Sequence, residues 1–280
     1  MTDSEVRERL AGLVASSSGD RRADTLIRLT CGRALSLPPL PVPADVTEEL
    51  SEPERVLVAF AEQFSVDVTG IGDNQRSRFL ETFGDNAFRM VVAVFLADFV
   101  PRVWAGCEVL GVGKPGSVHT VNWDPDADPV EGLLAGFVPA VARMRELDAV
   151  TTEVVRLRGA AAHNCRLCRS LRESHALEEG GSEQLYGQIG DFENAADLTE
   201  AHKAALRYAD ALIWTPSRIG EDVVAGMCKH YTDKQRLEVT LDVMRNAANK
   251  IMVSLGADAP RVAEGTERYE VDETGQTIFA

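Results

Sequence analysis

Chemically reactive side chains concentrate in one segment of this sequence, around a CxxC motif formed by Cys165 and Cys168. Glu153 and His163 precede the motif, and His175 follows it. Two cysteines three residues apart lie on one helical turn, where they form either a redox-active dithiol or half of a metal site. The segment therefore predicts thiol redox chemistry or metal binding.

Completing a structural zinc site would require a second CxxC or a pair of histidines. The sequence has no second CxxC, and His202 and His230 stand alone in other predicted helices. We therefore predict thiol redox chemistry with no cofactor and no metal, in which one thiolate attacks and its neighbour resolves the intermediate. A metal site and an inert cysteine pair remain as alternatives.

The predicted position of the motif at the start of a helix favours a thiolate. Asn164 is expected to cap a helix whose first turn contains Cys165. Unpaired amides and the positive end of the helix dipole would lower a thiol pKa there. Arg166 and Arg169 add positive potential.

Glu153 is the candidate base for this dithiol. It lies twelve residues before Cys165, which is about 18 Å along an unbroken helix. A turn near His163 would bring the carboxylate toward the sulfurs, where a buried glutamate takes up a thiol proton. His175 lies two turns beyond Cys168, ~10 Å along the axis, and His163 is nearer. The alternatives are a surface glutamate and solvated or capping histidines.

Composition indicates a globular protein of the cytoplasm. The net charge of −15 disfavours nucleic acid as a partner, because phosphate binding needs clustered cations. We find no apolar run of the roughly 18–20 residues that cross a bilayer and no signal peptide, so no membrane contact is expected. Cys31, Cys107 and Cys228 lack partners at useful spacing and are predicted to be small core residues.

Apolar residues recur at intervals of three and four, which predicts an all-α fold. Ser51 and Glu54 form a predicted capping box, and Thr199 is a predicted N-cap. The stretch after Leu255 reads as irregular. The predicted helices are Arg55–Phe64, Phe88–Leu110, Gly132–Glu146, Ala201–Leu212 and Gln235–Leu255.

Shifting the sequence by 148 positions indicates an internal duplication. Leu50-Ser51-Glu52 then falls on Leu198-Thr199-Glu200, and Glu5 falls on Glu153. Ser17 and Asp20 fall where the cysteines stand, so the first copy lacks the thiols. We predict a degenerate repeat over residues 1–113, a linker over 114–130, and a repeat with the CxxC over 131–280.

With Glu153, eleven intervening residues and the CxxC, the chain resembles the carboxymuconolactone decarboxylase and alkylhydroperoxidase D superfamily. The resemblance covers residues 129–256 well and the first half more faintly. It implies an all-helical alkylhydroperoxidase-like fold that assembles as trimers or hexamers, so three tandem chains are expected to close one ring.

The resemblance also implies a peroxidase. Cys168 would attack a peroxide, Cys165 would resolve it, and Glu153 would start a proton relay. A dihydrolipoyl or thioredoxin-like partner would then reduce the disulfide. The family histidine, four residues after the second cysteine, is replaced by Arg172, with His175 one turn further along. Arginine does not shuttle protons near neutral pH, although it can pair with a thiolate or with Glu153.

Two other functions remain open. The protein could be a non-catalytic helical assembly or redox-sensing module that keeps the cysteine pair. It could also be a lactone decarboxylase or isomerase, whose substrate anion would be held by Arg158, Arg166 or Arg172. Retention of both cysteines points away from lactone decarboxylation, whereas the missing family histidine and the degenerate first half favour the non-catalytic module.

Overall fold

Helices dominate the computed structural model, which describes residues 3–46, 49–116, 123–124 and 127–279. It contains 67% helix and 4% strand, which confirms the all-α prediction. The longer helices are α1 (Asp3–Ala15), α2 (Arg21–Leu35), α3 (Glu52–Val66), α4 (Asp73–Phe83), α5 (Ala87–Val109), α8 (Ala149–Ala162), α12 (Glu200–Trp214), α13 (Glu221–His230) and α14 (Asp233–Ala247). The shorter helices are α6 (Pro129–Glu131), α7 (Val138–Ala142), α9 (Arg166–Arg169), α10 (Ser174–Glu178), α11 (Glu183–Tyr186) and α15 (Asn249–Ser254).

Local capping explains where two of the predicted helices begin. The Ser51 backbone amide donates to the Glu54 carboxylate at 2.7 Å, within a complete capping box at the start of α3. Thr199 Oγ1 accepts from the His202 amide at 3.1 Å and caps α12. Both predictions are confirmed. These bonds satisfy amides that the first helical turn leaves without partners.

Two predicted helices are shorter or less regular than their apolar pattern. The predicted helix Gln235–Leu255 is interrupted at Ala248, between α14 and α15. The segment predicted as Gly132–Glu146 starts with a π-helical stretch and ends at Ala142. The apolar pattern continues through each interruption because the helical segments before and after it both pack against the core.

Helix α5 runs through the centre of the fold and packs against α2, α12 and α14. By length and composition, the helical stretch Asp73–Val109 is apolar enough to cross a membrane, so our reading that no run is long enough was wrong. However, 83% of its apolar window is buried inside the fold. It is the core helix of this fold, which the full burial of Phe95 and Phe99 also shows.

Three buried charges connect the two halves of the chain. The Asp98 carboxylate accepts from Arg102 Nη2 at 2.7 Å and from Lys250 Nζ at 2.5 Å. Burial lowers the pKa of Lys250 to about 8, against the opposing effect of Asp98. Arg102 and Lys250 are matched by the 148-residue offset, and here they share one carboxylate.

Element bounds follow the same offset. Helices α3 and α12 begin and end 148 residues apart, as do the 3-10 turns Val68–Gly70 and Pro216–Arg218. A duplication would produce such equal spacing of helices and turns in the two halves. The duplication and its domain bounds stay predictions. Within the predicted linker over 114–130, residues 117–122 and 125–126 lie outside the described part of the chain.

The C-terminal stretch is not irregular throughout, because it supplies two strands of a small sheet. Strand β1 (Leu171–Glu173) pairs in parallel with β2 (Glu267–Val271), which pairs antiparallel with β3 (Thr277–Phe279). Strand β1 follows the CxxC directly. The sheet therefore anchors the chain on the C-terminal side of the motif.

Candidate functional site

A sharp turn after α8 positions the cysteine pair. Asn164 adopts a left-handed conformation with φ of +50°, which asparagine tolerates better than most residues. The chain then reverses, and the Cys165 amide donates to the Ala160 carbonyl at 2.9 Å. We had predicted Asn164 as the N-cap of the next helix, and this prediction was wrong. The N-cap of α9 is Cys165, whose Sγ accepts a hydrogen bond from the Cys168 amide at 3.2 Å.

The two cysteines differ in exposure and in acidity. Cys165 is 1% exposed, whereas Cys168 is partly exposed. A hydrogen bond from the Cys165 thiol to the Cys168 sulfur, together with burial, raises the pKa of Cys165. The same bond lowers the pKa of Cys168, aided by Arg156 and Asn249 and opposed by burial. Cys168 is therefore the thiol that ionises first, and it is the less buried residue of the pair.

Glu153 is buried and paired with Arg156. Its carboxylate accepts from Arg156 Nε at 2.6 Å and from Nη2 at 2.7 Å, and it is 1% exposed. Arg156 also donates to the carbonyl oxygens of Cys168 at 2.8 Å and Leu171 at 2.7 Å. The turn thus connects Glu153 to the CxxC loop through an arginine, and the alternative of a surface glutamate is wrong.

His163 is buried at the end of α8, beside Asn249. Its Nδ1 lies 3.0 Å from Asn249 Oδ1, so Nδ1 is assigned the proton. Burial, with Lys250 nearby, lowers the pKa of His163 well below its usual value. Within the described residues, the buried Nε2 has no hydrogen-bond partner. His163 is therefore a neutral group next to the dithiol.

Among the described residues, neither His175 nor Arg172 forms a hydrogen bond with Cys165 or Cys168 through its side chain. His175 is exposed on α10 and lines a cavity that Glu153 also lines. Arg172 pairs with Glu183 through two bonds of 2.7 and 2.9 Å. Neither the thiolate nor Glu153 is its partner, so Arg156 fills the role that we had considered for Arg172.

Sequence reasoning missed Arg156 and Asn249. Arg156 stands three residues after Glu153, a spacing that brings side chains together on a helix and was available as a signal. Asn249 comes from α15, and its amide side chain connects His163 with Cys168. Nothing in its local sequence indicates this role.

The arginines considered as anion ligands are all paired with carboxylates. Arg158 meets Asp210 through two bonds of 2.7 Å. Arg166 donates to Asp258 at 2.7 Å from Nη2 and at 2.9 Å from its backbone amide. Arg172 meets Glu183. A substrate anion at these positions would therefore have to displace a carboxylate.

Glu153 also lines a cavity of about 560 Å³. Its walls come from α7, α8 and the segment between them, and from β1, α10, α14 and β2, and neither cysteine lines it. In the part of the chain that the structure describes, no three His, Cys, Asp or Glu side chains are grouped to hold a metal ion.

Two proteins of Mycobacterium tuberculosis are similar to this chain over nearly their whole length. They are Uncharacterized protein Rv2313c of strain H37Rv and Uncharacterized protein MT2376 of strain CDC 1551 / Oshkosh. Each is 55% identical over 277 residues, which make up 98% of this chain and 98% of the relative. No protein-family model matches the chain, and no solved structure matches it. The chain belongs to the same family as these two M. tuberculosis proteins.

Proposed function

We propose that the protein is a dithiol redox enzyme that reduces a hydroperoxide, with Cys168 attacking and Cys165 resolving. One observation carries this proposal: the partly exposed cysteine is also the one whose pKa is lowered. A thiolate is the nucleophilic form of cysteine. The buried Cys165 supplies the hydrogen bond that stabilises this thiolate, and it is the thiol that would form the disulfide.

The Cys168 thiolate attacks the outer oxygen of ROOH, the O–O bond breaks, and the leaving alkoxide takes up a proton to become ROH. Cys168 is then a sulfenic acid. The Cys165 sulfur attacks it, water leaves, and a Cys165–Cys168 disulfide forms. An external dithiol, dihydrolipoyl or thioredoxin-like, returns two electrons and two protons.

Arg156 and Glu153 have positioning roles in this proposal. The Arg156 guanidinium holds the CxxC loop through the Cys168 carbonyl and places a positive charge near the thiolate. Glu153 fixes that guanidinium with two short bonds. The proton relay of the resembled family is replaced here by charge stabilisation.

The direct test is to incubate the reduced protein with cumene hydroperoxide, count free thiols, and map disulfides by mass spectrometry. We expect two thiols to be lost, one Cys165–Cys168 disulfide, and recovery of both thiols with dihydrolipoamide. Cys228→Ser is the matched control because Cys228 is exposed but lies on α13, away from the motif. If the wild type forms no such disulfide, the proposal fails.

The result with dihydrolipoamide separates catalysis from sensing. A disulfide that forms with peroxide but resists dihydrolipoamide and thioredoxin would favour the redox-sensing alternative.

We also propose that three tandem chains assemble into one ring. Light scattering should give the mass of three 30.4 kDa chains, and a monomer would contradict that assembly.

A further inference from the structure

The 560 Å³ cavity beside Glu153 is a site that the dithiol chemistry does not use. Its volume lies in the range of small-molecule sites, about 300–1,000 Å³. Apolar side chains, among them Leu147, Val150 and Tyr269, form part of its wall. The cavity therefore has the size and the mixed lining of a ligand site.

Glu238 is the distinctive polar group of this cavity. It stands on α14, is 2% exposed, and accepts a hydrogen bond from the Glu146 amide at 2.7 Å. Among the described residues, no arginine, lysine or histidine forms an ion pair with it. Burial, with Asp242 nearby, raises the pKa of Glu238 to about 7. A buried carboxyl group without a cation gains most from a ligand that brings one.

The other acids of the cavity have partners or lie at its rim. Asp242 pairs with Arg245 at 3.2 Å, and Glu153 pairs with Arg156. Asp148 and Glu173 accept from backbone amides at helix starts. Glu179 is exposed.

The cations that face the cavity are fewer than the acids. They are Arg245 and Arg145, whose Nη1 donates to the Ala142 and Met144 carbonyls. The imidazole of His175 also lines the cavity. Glu146, behind Glu238, adds another negative charge that Lys234 partly offsets at 3.2 Å. The charge around Glu238 therefore favours a cation over an anion.

We propose that this cavity binds a small protonated organic amine, with its ammonium group against Glu238 and its hydrocarbon part against Leu147, Val150 and Tyr269. The ammonium group supplies the positive charge that Glu238 lacks as a partner, and the apolar part of the cavity wall contacts the hydrocarbon part of the amine. Neither cysteine lines the cavity, so binding there does not require the dithiol, although Glu153 contributes to the cavity wall.

Isothermal titration calorimetry with phenethylamine tests this site, with 2-phenylethanol and 3-phenylpropionate as the neutral and anionic analogues. We expect saturable binding of the amine and at least tenfold weaker binding of both analogues. Binding should ionise Glu238, so titrations at pH 7 in buffers of different ionisation enthalpy should reveal release of about half a proton. Equal binding of the three compounds, or amine binding without proton release, overturns the proposal.

Variants locate the site. Glu238→Gln keeps the volume and an acceptor for the Glu146 amide, and it should weaken amine binding at least tenfold. Glu179→Gln at the rim should change it less than twofold, and so should the double variant Cys165→Ser/Cys168→Ser. If Glu238→Gln does not fold, Ala149→Phe fills the cavity from α8 and should abolish binding. Undiminished binding in Glu238→Gln or Ala149→Phe overturns the proposal, whatever happens to peroxide reduction.

Discussion

The Nη1 atom of Arg156 lies 2.8 Å from the carbonyl oxygen of Cys168, to which it donates a hydrogen bond. The same guanidinium holds the buried Glu153 carboxylate. This ion pair therefore links α8 to the loop that carries Cys168. It explains how a glutamate twelve residues before the CxxC contributes to the site without contacting the sulfurs through a hydrogen bond.

Removing the charge of Glu153 should destabilise the fold, because the buried Arg156 guanidinium loses its counter-charge. We expect Glu153→Gln to lower the free energy of unfolding by about 3 kcal/mol, measured by urea denaturation. Glu5→Gln is the matched control, since Glu5 is the sequence equivalent in the first half and forms partly exposed pairs with Arg9 and Arg143. Glu5→Gln should lower the free energy of unfolding by less than about 1 kcal/mol. Equal costs would contradict the account of the ion pair.

Cys165 should control the acidity of Cys168. Cys165→Ala removes the hydrogen bond that is the largest cause of the lowered pKa of Cys168. The thiolate is the form that reacts with iodoacetamide. We therefore expect the pH at which Cys168 alkylation reaches half its maximal rate to move upward in the variant, as followed by mass spectrometry of the Cys168 peptide. An unchanged midpoint would remove Cys165 from the ionisation of Cys168.

Arg172 should have little influence on the thiols, in contrast to Arg156. Its guanidinium pairs with Glu183 and lies 5.7 Å from the centre of the Tyr186 ring. We expect Arg172→Ala to leave the rate of Cys168 alkylation at pH 7 within twofold of the wild type. A tenfold slower rate would show that the residue in place of the family histidine does act on the thiolate.

Glu238 should make stability depend on pH. Its pKa is raised from 4.5 to about 7 in the folded state, so the folded protein keeps a proton that the unfolded chain has released between these values. Stability from this group is therefore lost as pH rises from about 4.5 to 7, by up to about 3 kcal/mol at ~1.4 kcal/mol per pKa unit.

Glu238→Gln should remove this part of the pH dependence. Relative to the wild type, the variant should be more stable at pH 8 than at pH 5 in guanidinium denaturation. A smaller slope of the same sign should remain, because burial also raises the pKa of Asp242 to about 6. An identical difference between variant and wild type at both pH values would contradict the raised pKa of Glu238.

Local sequence was sufficient to predict the all-α fold and two of the helix starts, whereas the reactivity of the cysteine pair stays a prediction. The caps at Ser51 and Thr199 and the CxxC itself depend on residues that are neighbours in the chain. The surroundings of the dithiol do not, because Asn249 and Asp258 come from more than eighty residues away. The cavity likewise joins Glu238 on α14 to Glu153 on α8. Such contacts depend on how distant helices pack together, and the pattern of neighbouring residues in the sequence does not predict that packing.

The sequence predicted the burial of the other three cysteines only in part. Cys31 and Cys107 are buried, as predicted. Cys228 is exposed on α13, so its prediction as a core residue was wrong. Its helix has only one fully buried side chain, Met227, and position along a weakly buried helix decides exposure more than residue type does.

The central claim, that Cys168 attacks and Cys165 resolves, is tested most directly by trapping the sulfenic acid. Reduced Cys165→Ser and Cys168→Ser variants are treated with cumene hydroperoxide in the presence of dimedone and analysed by mass spectrometry. We predict a dimedone adduct on Cys168 in Cys165→Ser, and none on Cys165 in Cys168→Ser. An adduct on Cys165 alone, or none in either variant, would contradict the account.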